Sequence, residues 1–205
     1  QAVFTPAGRT TVAETGEAKR LFIDEHSLDT QLVVRTVPKL DASAYLYAKS
    51  TLPRGTPYLA GAVSLFRDGS FVGTGRLPQL APGVEHELGF GADDLVRVQY
   101  AVLDDKRGEA GIISSARTDQ RSYKITVKNL HVRQIAVSVR DQAPVSLQQD
   151  IKVELIGKTQ PTRRDIEDKR GVFAWEQRLE PDAEAVIDFG YRVSWPAAKA
   201  VQYGR

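Results

Sequence analysis

The string SLFRDGSFVGTG, Ser64 to Gly75, holds two glycines spaced as in a phosphate-binding loop. A dinucleotide loop needs a third glycine and a following helix, whose N-terminal N–H groups meet the phosphates. Here Gly73 and Gly75 are followed by RLPQLAPG, where Pro78 and Pro82 stand in the span a helix would occupy. A Walker-type lysine is also lacking. A β-hairpin accounts for the same residues. Asp68-Gly69 suits a two-residue type I′ turn, in which both central residues take positive φ. Closing it there pairs Arg67 with Ser70, Phe66 with Phe71, Leu65 with Val72 and Ser64 with Gly73. Gly73 and Gly75 are then expected to leave room for a neighbouring strand or side chain.

The other reactive residue types are scattered. The three histidines, His26, His86 and His131, have no second histidine at i+2, i+3 or i+4, the spacings that bring two imidazoles onto one metal. Surface or packing roles are expected for each. Asp93-Asp94 and Asp104-Asp105 are adjacent carboxylates, whereas glycosidic or proton-transfer chemistry needs two that converge across a cleft. Both pairs read as solvated turns. No serine sits in a G-x-S-x-G elbow. Arg163-Arg164 and Lys169-Arg170 are interleaved with Asp165, Glu167 and Asp168, as in a hydrated loop or a protein contact. The absence of cysteine excludes disulfides, thiolate nucleophiles and cysteine-held metals. No catalytic, cofactor-binding or metal-ligating residue is assigned, and no cofactor is expected.

The elements that would position these groups show period two. In YKITVKN, Tyr123, Ile125 and Val127 share a face. In IAVSVRD the same holds for Ile135, Val137 and Val139. In AVIDFGYRVSW one face carries Ala185, Ile187, Phe189, Tyr191, Val193 and Trp195. This is the alternation of strands with one buried face. FAWEQRL adds Phe173 and Trp175, and IKVELIG adds Ile151, Val153 and Leu155. Trp195, at a strand end, is expected to be partly exposed. Further strands are expected at Thr10–Glu14, Arg20–Glu25, Gln31–Val37, Ala44–Ser50, Val63–Arg67, Phe71–Leu77, Glu85–Phe90 and Leu95–Leu103, with turns between them. The fold class is all-β, built of antiparallel β-sandwiches, with an immunoglobulin-like C-terminal part. A polar stretch near Thr118–Arg121 divides residues 1–118, an N-terminal antiparallel β region, from residues 119–205, the immunoglobulin-like sandwich; the alternative is a first half that shares strands with the second. Gly157 to Gly171, charged and holding a proline, reads as a mobile surface connection.

Composition narrows the partners. With 28 basic and 26 acidic side chains the formal charge is +2, which argues against a nucleic-acid partner. No apolar run approaches the ~18 residues that span a bilayer, so no membrane insertion by this piece is expected. The sequence begins at Gln1 and holds no methionine, and reads as a fragment or processed form.

Tyr58 to Pro196 carries a resemblance. GAVSLFRDGSFVGTGRLPQLAPGVEHELGFGADDLVRV, then YKITVKN, VSVRDQAPVS, DIKVEL and KRGVFAWEQRLEPDAEAVIDFGYRVSWP, resemble the C-terminal domain of mucoidy-inhibitor-A-like bacterial proteins. That domain is one of unknown function. The resemblance implies an envelope or periplasmic location, with a further β domain and a coiled coil preceding the domain in full-length relatives. It supplies no catalytic residues. The expectation is a non-enzymatic β-sandwich module, the protein-interaction or scaffolding part of a bacterial envelope-associated protein, with a protein partner. The alternatives are a module binding a polysaccharide or small ligand, and an unrecognised hydrolase. An exposed coplanar aromatic pair beside a groove would favour the first alternative, and burial of both tryptophans would count against it. A pocket setting His26 or His86 against a carboxylate and a serine would favour the second.

Overall fold

A computed structural model describes residues 3–5, 8–9, 11, 14, 16, 18, 20–55, 57–106 and 116–201. Twelve strands follow one another among them: β1 (Thr30–Val37), β2 (Asp41–Thr51), β3 (Gly61–Arg67), β4 (Ser70–Leu77), β5 (Glu85–Ala92), β6 (Val96–Lys106), β7 (Ala116–Asn129), β8 (Ile135–Gln142), β9 (Lys152–Ile156), β10 (Arg163–Arg164), β11 (Val172–Leu179) and β12 (Glu184–Pro196). The helical structure among the described residues is one 3₁₀ turn, Ile166–Asp168. The expected strand at Thr10–Glu14 falls largely outside the described residues. Arg20–Glu25 lies in no strand, which corrects that expectation.

The chain forms two units, Gln1–Gln31 with Ala48–Leu88, and Leu32–Tyr47 with Gly89–Arg205. The division expected at 118 falls inside β7, which is one unbroken strand. Strands on both sides of that position build the larger unit together. One of its sheets runs β6-β7-β12-β9, and the other has the order β10-β11-β8-β1-β2-β5. The four-stranded sheet is antiparallel throughout, as is the pairing of β11 with β8 and β10. β1 and β8 run parallel, with Val34 beside Val137.

The alternation read from the sequence becomes the core. Ile125, Val127, Ile187, Phe189, Tyr191 and Val193 from β7 and β12 meet Val137, Val139, Phe173 and Trp175 from β8 and β11, all buried. Trp175 lies edge-on to Phe189 with ring centroids 5.0 Å apart, and Phe189 in turn contacts Tyr123 and Tyr191. Trp195 is 7% exposed, because β12 continues to Pro196 and keeps it on the inner face; the expected exposure at a strand end is corrected. Asn129 is fully buried, its Nδ2 within 2.9–3.0 Å of the Arg133, Leu179 and Glu180 carbonyls, while its Oδ1 accepts from the His131 N–H. A buried amide left without such partners would cost about 1–3 kcal/mol.

In the smaller unit, the β3–β4 ribbon closes at Asp68 (φ 50°) and Gly69 (φ 78°), the signature of the type I′ turn. Arg67 pairs with Ser70 and Phe66 with Phe71 as expected. Beyond them Leu65 pairs with Gly73 and Ser64 with Thr74, so Val72 is a bulge residue and the register differs by one from the sequence reading. The bulge also explains Gly73. Its φ of 152° favours glycine, and a Cβ there would meet nothing within 4 Å, so conformation rather than crowding selects it. Gly75 does meet a neighbour, with Val63 Cγ2 3.6 Å from the position of a Cβ. No helix follows, since β4 runs through to Leu77.

Gly190, midway along β12, marks a close approach of the core strands. A Cβ there would lie 2.6 Å from the Arg121 carbonyl oxygen and 3.2 Å from Ser122 Cα. Because backbone cannot rotate away as a side chain does, Gly190→Ala is expected to lower unfolding free energy by about 2 kcal/mol. Urea titration of the two proteins measures it.

Candidate functional site

The segment Gly157–Gly171, which its composition marks as a mobile connection, is instead tied to both sheets. Thr159 is the first anchor. Its N–H donates to the Asp188 carbonyl (3.0 Å), its Oγ1 accepts from the Asp188 N–H (3.0 Å), and its carbonyl accepts from Trp175 Nε1 (3.1 Å). Thr162 is the second. Its N–H and Oγ1 both donate to the Ala174 carbonyl, at 2.9 and 3.0 Å, and its Oγ1 accepts from the Glu176 N–H at 2.8 Å. Arg163 and Arg164 then pair with Ala174 and Phe173 as β10. The third anchor is Ile166, buried within an otherwise charged run.

Between these anchors the backbone is strained. Asp165, Glu167 and Asp168 take φ of 53°, 56° and 58°, and Gly171 takes 78°. Left-handed non-glycine residues cost on the order of 1 kcal/mol each and persist where the surroundings fix them. The fixing contacts are specific. Asp165 Oδ1 accepts from the Gly171 N–H at 2.9 Å, and the Gly171 carbonyl accepts from the Ala143 N–H at 2.9 Å. Glu167 pairs with Arg140 at 2.8 Å and with Lys169 at 3.2 Å, which holds its carboxyl down at about 2. The signals of order in this sequence are its threonines, Asp165 and the lone isoleucine; the surrounding charge masks them.

The loop stands beside two hollows of the larger unit. One, of 580 Å³, lies between β9 and the β10–β11 edge. Its lining combines Ile151, Val153, Leu155 and Phe173 with Ser146, Gln160, Arg164, Asp165 and Arg170. The Arg164 guanidinium sits 5.8 Å from the Phe173 ring centroid, at cation–π range. The other hollow, of 290 Å³, is lined by Val37, Leu40, Asp141, Ile166 and Val172 among others. Val153 and Leu155 face inward as the alternation predicts, but the sheet ends at β9, so they are left half-buried.

Asp141 continues the inward-facing series Ile135, Val137, Val139 of β8 and is 3% exposed. Its Oδ1 accepts from the Gln142 N–H at 2.6 Å, while Oδ2 has no hydrogen-bond partner among the described residues. Burial pushes its pKa up to about 6, against the smaller opposing effects of that hydrogen bond and of Lys39. The period of VSVRDQ puts this carboxylate at a core position, although no second acid adjoins it in the sequence. Burial likewise raises the phenols of Tyr100 and Tyr123.

Of the reactive residues named from the sequence, His131 and Asp93 come together, and the others stay apart. His131 Nε2 lies 3.0 Å from Asp93 Oδ2, and Asp93 is 2% exposed, so this carboxylate is a buried partner rather than a solvated turn residue. Asp104 and Asp105 lie in β6 at a register break, not in a turn, and Asp105 faces Arg121 at 3.5 Å. His86 Nε2 lies 2.9 Å from the Ala81 carbonyl oxygen. In the smaller unit His26 Nε2 pairs with Asp24 Oδ2 at 2.8 Å and stacks on Tyr58 beside a 650 Å³ cavity, whose lining among the described residues also holds Arg54 but no serine. Both tryptophans are buried, which removes them as a carbohydrate platform.

Fold and site together define an all-β protein whose larger unit is a sandwich with a loop-walled groove at one edge. The chain belongs to the family described as Domain of unknown function (DUF4139), which it matches over residues 1–197. It is also similar to protein F37C4.5 of Caenorhabditis elegans, with 24% identity over 202 residues, covering 94% of this chain and 36% of that protein. The chain thus spans just over a third of that relative's length. No solved structure matches.

Asp141 makes stability depend on pH in a defined direction. Its folded-state pKa lies above the unfolded value, so the folded form holds the proton more tightly. The penalty of a bare buried carboxylate is therefore absent in acid and grows as pH rises from about 4 to about 6. The gap between 3.8 and about 6 corresponds to about 3 kcal/mol at neutral pH. Asp141→Asn is expected to be more stable than the wild type at pH 7.5, by up to that amount, and to lose its advantage near pH 4. Paired urea titrations at the two pH values check this.

Proposed function

We propose that this chain is a non-enzymatic interaction module that contacts a protein partner through the smaller unit. The observation that carries the reading is the placement of phenylalanine. The chain has seven, and all four in the smaller unit, Phe4, Phe22, Phe66 and Phe71, are exposed, whereas Phe173 and Phe189 of the larger unit are buried in its core. Phe66 and Phe71 are 57% and 59% exposed and pack edge-to-face on each other, with centroids 5.6 Å apart. Exposed aromatic pairs held rigid by a tight turn lose little entropy on docking and are frequent anchors of interfaces.

Kinship with mucoidy-inhibitor-A-like proteins and a place in the bacterial envelope belong to the same proposal, on the strength of the quoted strings. A similar sequence in a nematode means that such a location would belong to the whole protein and not to this domain as such. The test is site-specific photocrosslinking in the cells of origin, with the photoreactive residue at Phe71 and, as a control, at Glu184. A discrete protein adduct formed from position 71 and absent from position 184 is the expected result. No adduct from position 71, in protein that folds normally, contradicts the reading.

A further inference from the structure

We propose that the groove between β9 and the β10–β11 edge receives an extended segment of a partner polypeptide, which adds to β9 as a fifth strand and directs a carboxylate to Arg164 and Arg170. The inference rests on the reading of the chain as an interaction module but uses a different surface, on the larger unit.

Three observations converge on this occupant. The first is the unpaired edge. β9 is the last strand of its sheet, bonded on one side to β12 from Gly190–Ile156 to Ser194–Lys152, and among the described residues no strand pairs with its other side. Those N–H and C=O groups form a row that another strand can pair with. The second is the row of apolar side chains within the mixed lining. Val153 and Leu155, two residues apart, line the 580 Å³ hollow beside Phe173, so an added strand would seat alternate side chains on them. The four-stranded sheet is the narrower of the two, and one more strand would cover inner-facing side chains that it now leaves half-buried.

The third is charge. Arg170 makes no ion pair among the described residues, and Arg164 makes a 3.4 Å hydrogen bond to Gln160 besides lying over Phe173. The one acid in the lining, Asp165, is engaged by the Gly171 N–H. Two guanidinium groups in the same lining as Val153, Leu155 and Phe173 suit a carboxylate carried on the same face as apolar residues. The strain at Asp165–Asp168 fits the same use, because it holds the arginine-bearing loop beside the groove.

The probe is the fluorescein-labelled, N-acetylated peptide Thr-Val-Thr-Val-Thr-Glu-Thr, titrated with the whole chain by fluorescence anisotropy. Saturable binding is expected. In the Arg164→Glu/Arg170→Glu variant it should weaken at least about tenfold, and the same variant should bind a peptide carrying lysine in place of the glutamate. A peptide N-methylated at alternate amides should lose binding to the wild type, which keeps the strand-addition claim testable even if the arginine variant unfolds. Phe66→Ser/Phe71→Ser should bind the probe unchanged, so failure here and failure of the ribbon contact are distinguishable. Absence of saturable binding to the wild type overturns the proposal. So does binding indifferent to both the arginine reversal and N-methylation.

Discussion

The larger unit depends on the close approach of β12 to β7. From Glu184–Lys128 to Pro196–Ala116 the two strands pair without interruption, and Gly190 lets the β7 backbone come within contact distance midway. That ladder sets which side chains of β12 face inward. Ile187, Phe189, Tyr191 and Val193 then form the inner layer on which Phe173 and Trp175 of the opposite sheet pack. Aliphatic and aromatic burial of this kind contributes about 25 cal/mol per Å² and far outweighs any of the ion pairs on the surface.

The site follows from that packing. Asp188 and Trp175 belong to the two sheets, and both bind Thr159, so the loop that leaves β9 is fixed to the core before its charged stretch begins. Thr162 repeats the device on β11. Only because these anchors are in place can three non-glycine residues be held in left-handed backbone. The arginines, the groove and the buried end of β8 are therefore consequences of core geometry, not of local sequence preference.

Much of the architecture is legible in the sequence. Period-two alternation identifies the inward residues of β7, β8, β11 and β12, and Asp68-Gly69 identifies the turn and the Phe66–Phe71 pairing. What is not legible depends on contacts distant along the chain. The bulge at Val72 shifts the hairpin register without altering the turn that closes it. The parallel pairing of β1 with β8 joins residues about a hundred positions apart, so a polar string at 118 resembles a boundary where β7 runs straight through. The burial of Asp93 and Asp141 has the same origin, since a carboxylate's neighbours across the sheets decide its exposure. The loop at 157–171 has the charge and proline usual in mobile segments. Its order comes from two threonines whose partners lie 12 to 29 residues away.

Amide hydrogen exchange, read residue by residue, shows whether this loop is a fixed part of the sandwich. Thr159, Thr162, Gly171 and Glu176 should exchange with protection close to that of Ile187 in β12. Exchange of these four amides at the rate of an unstructured peptide, while β12 stays protected, would contradict the account.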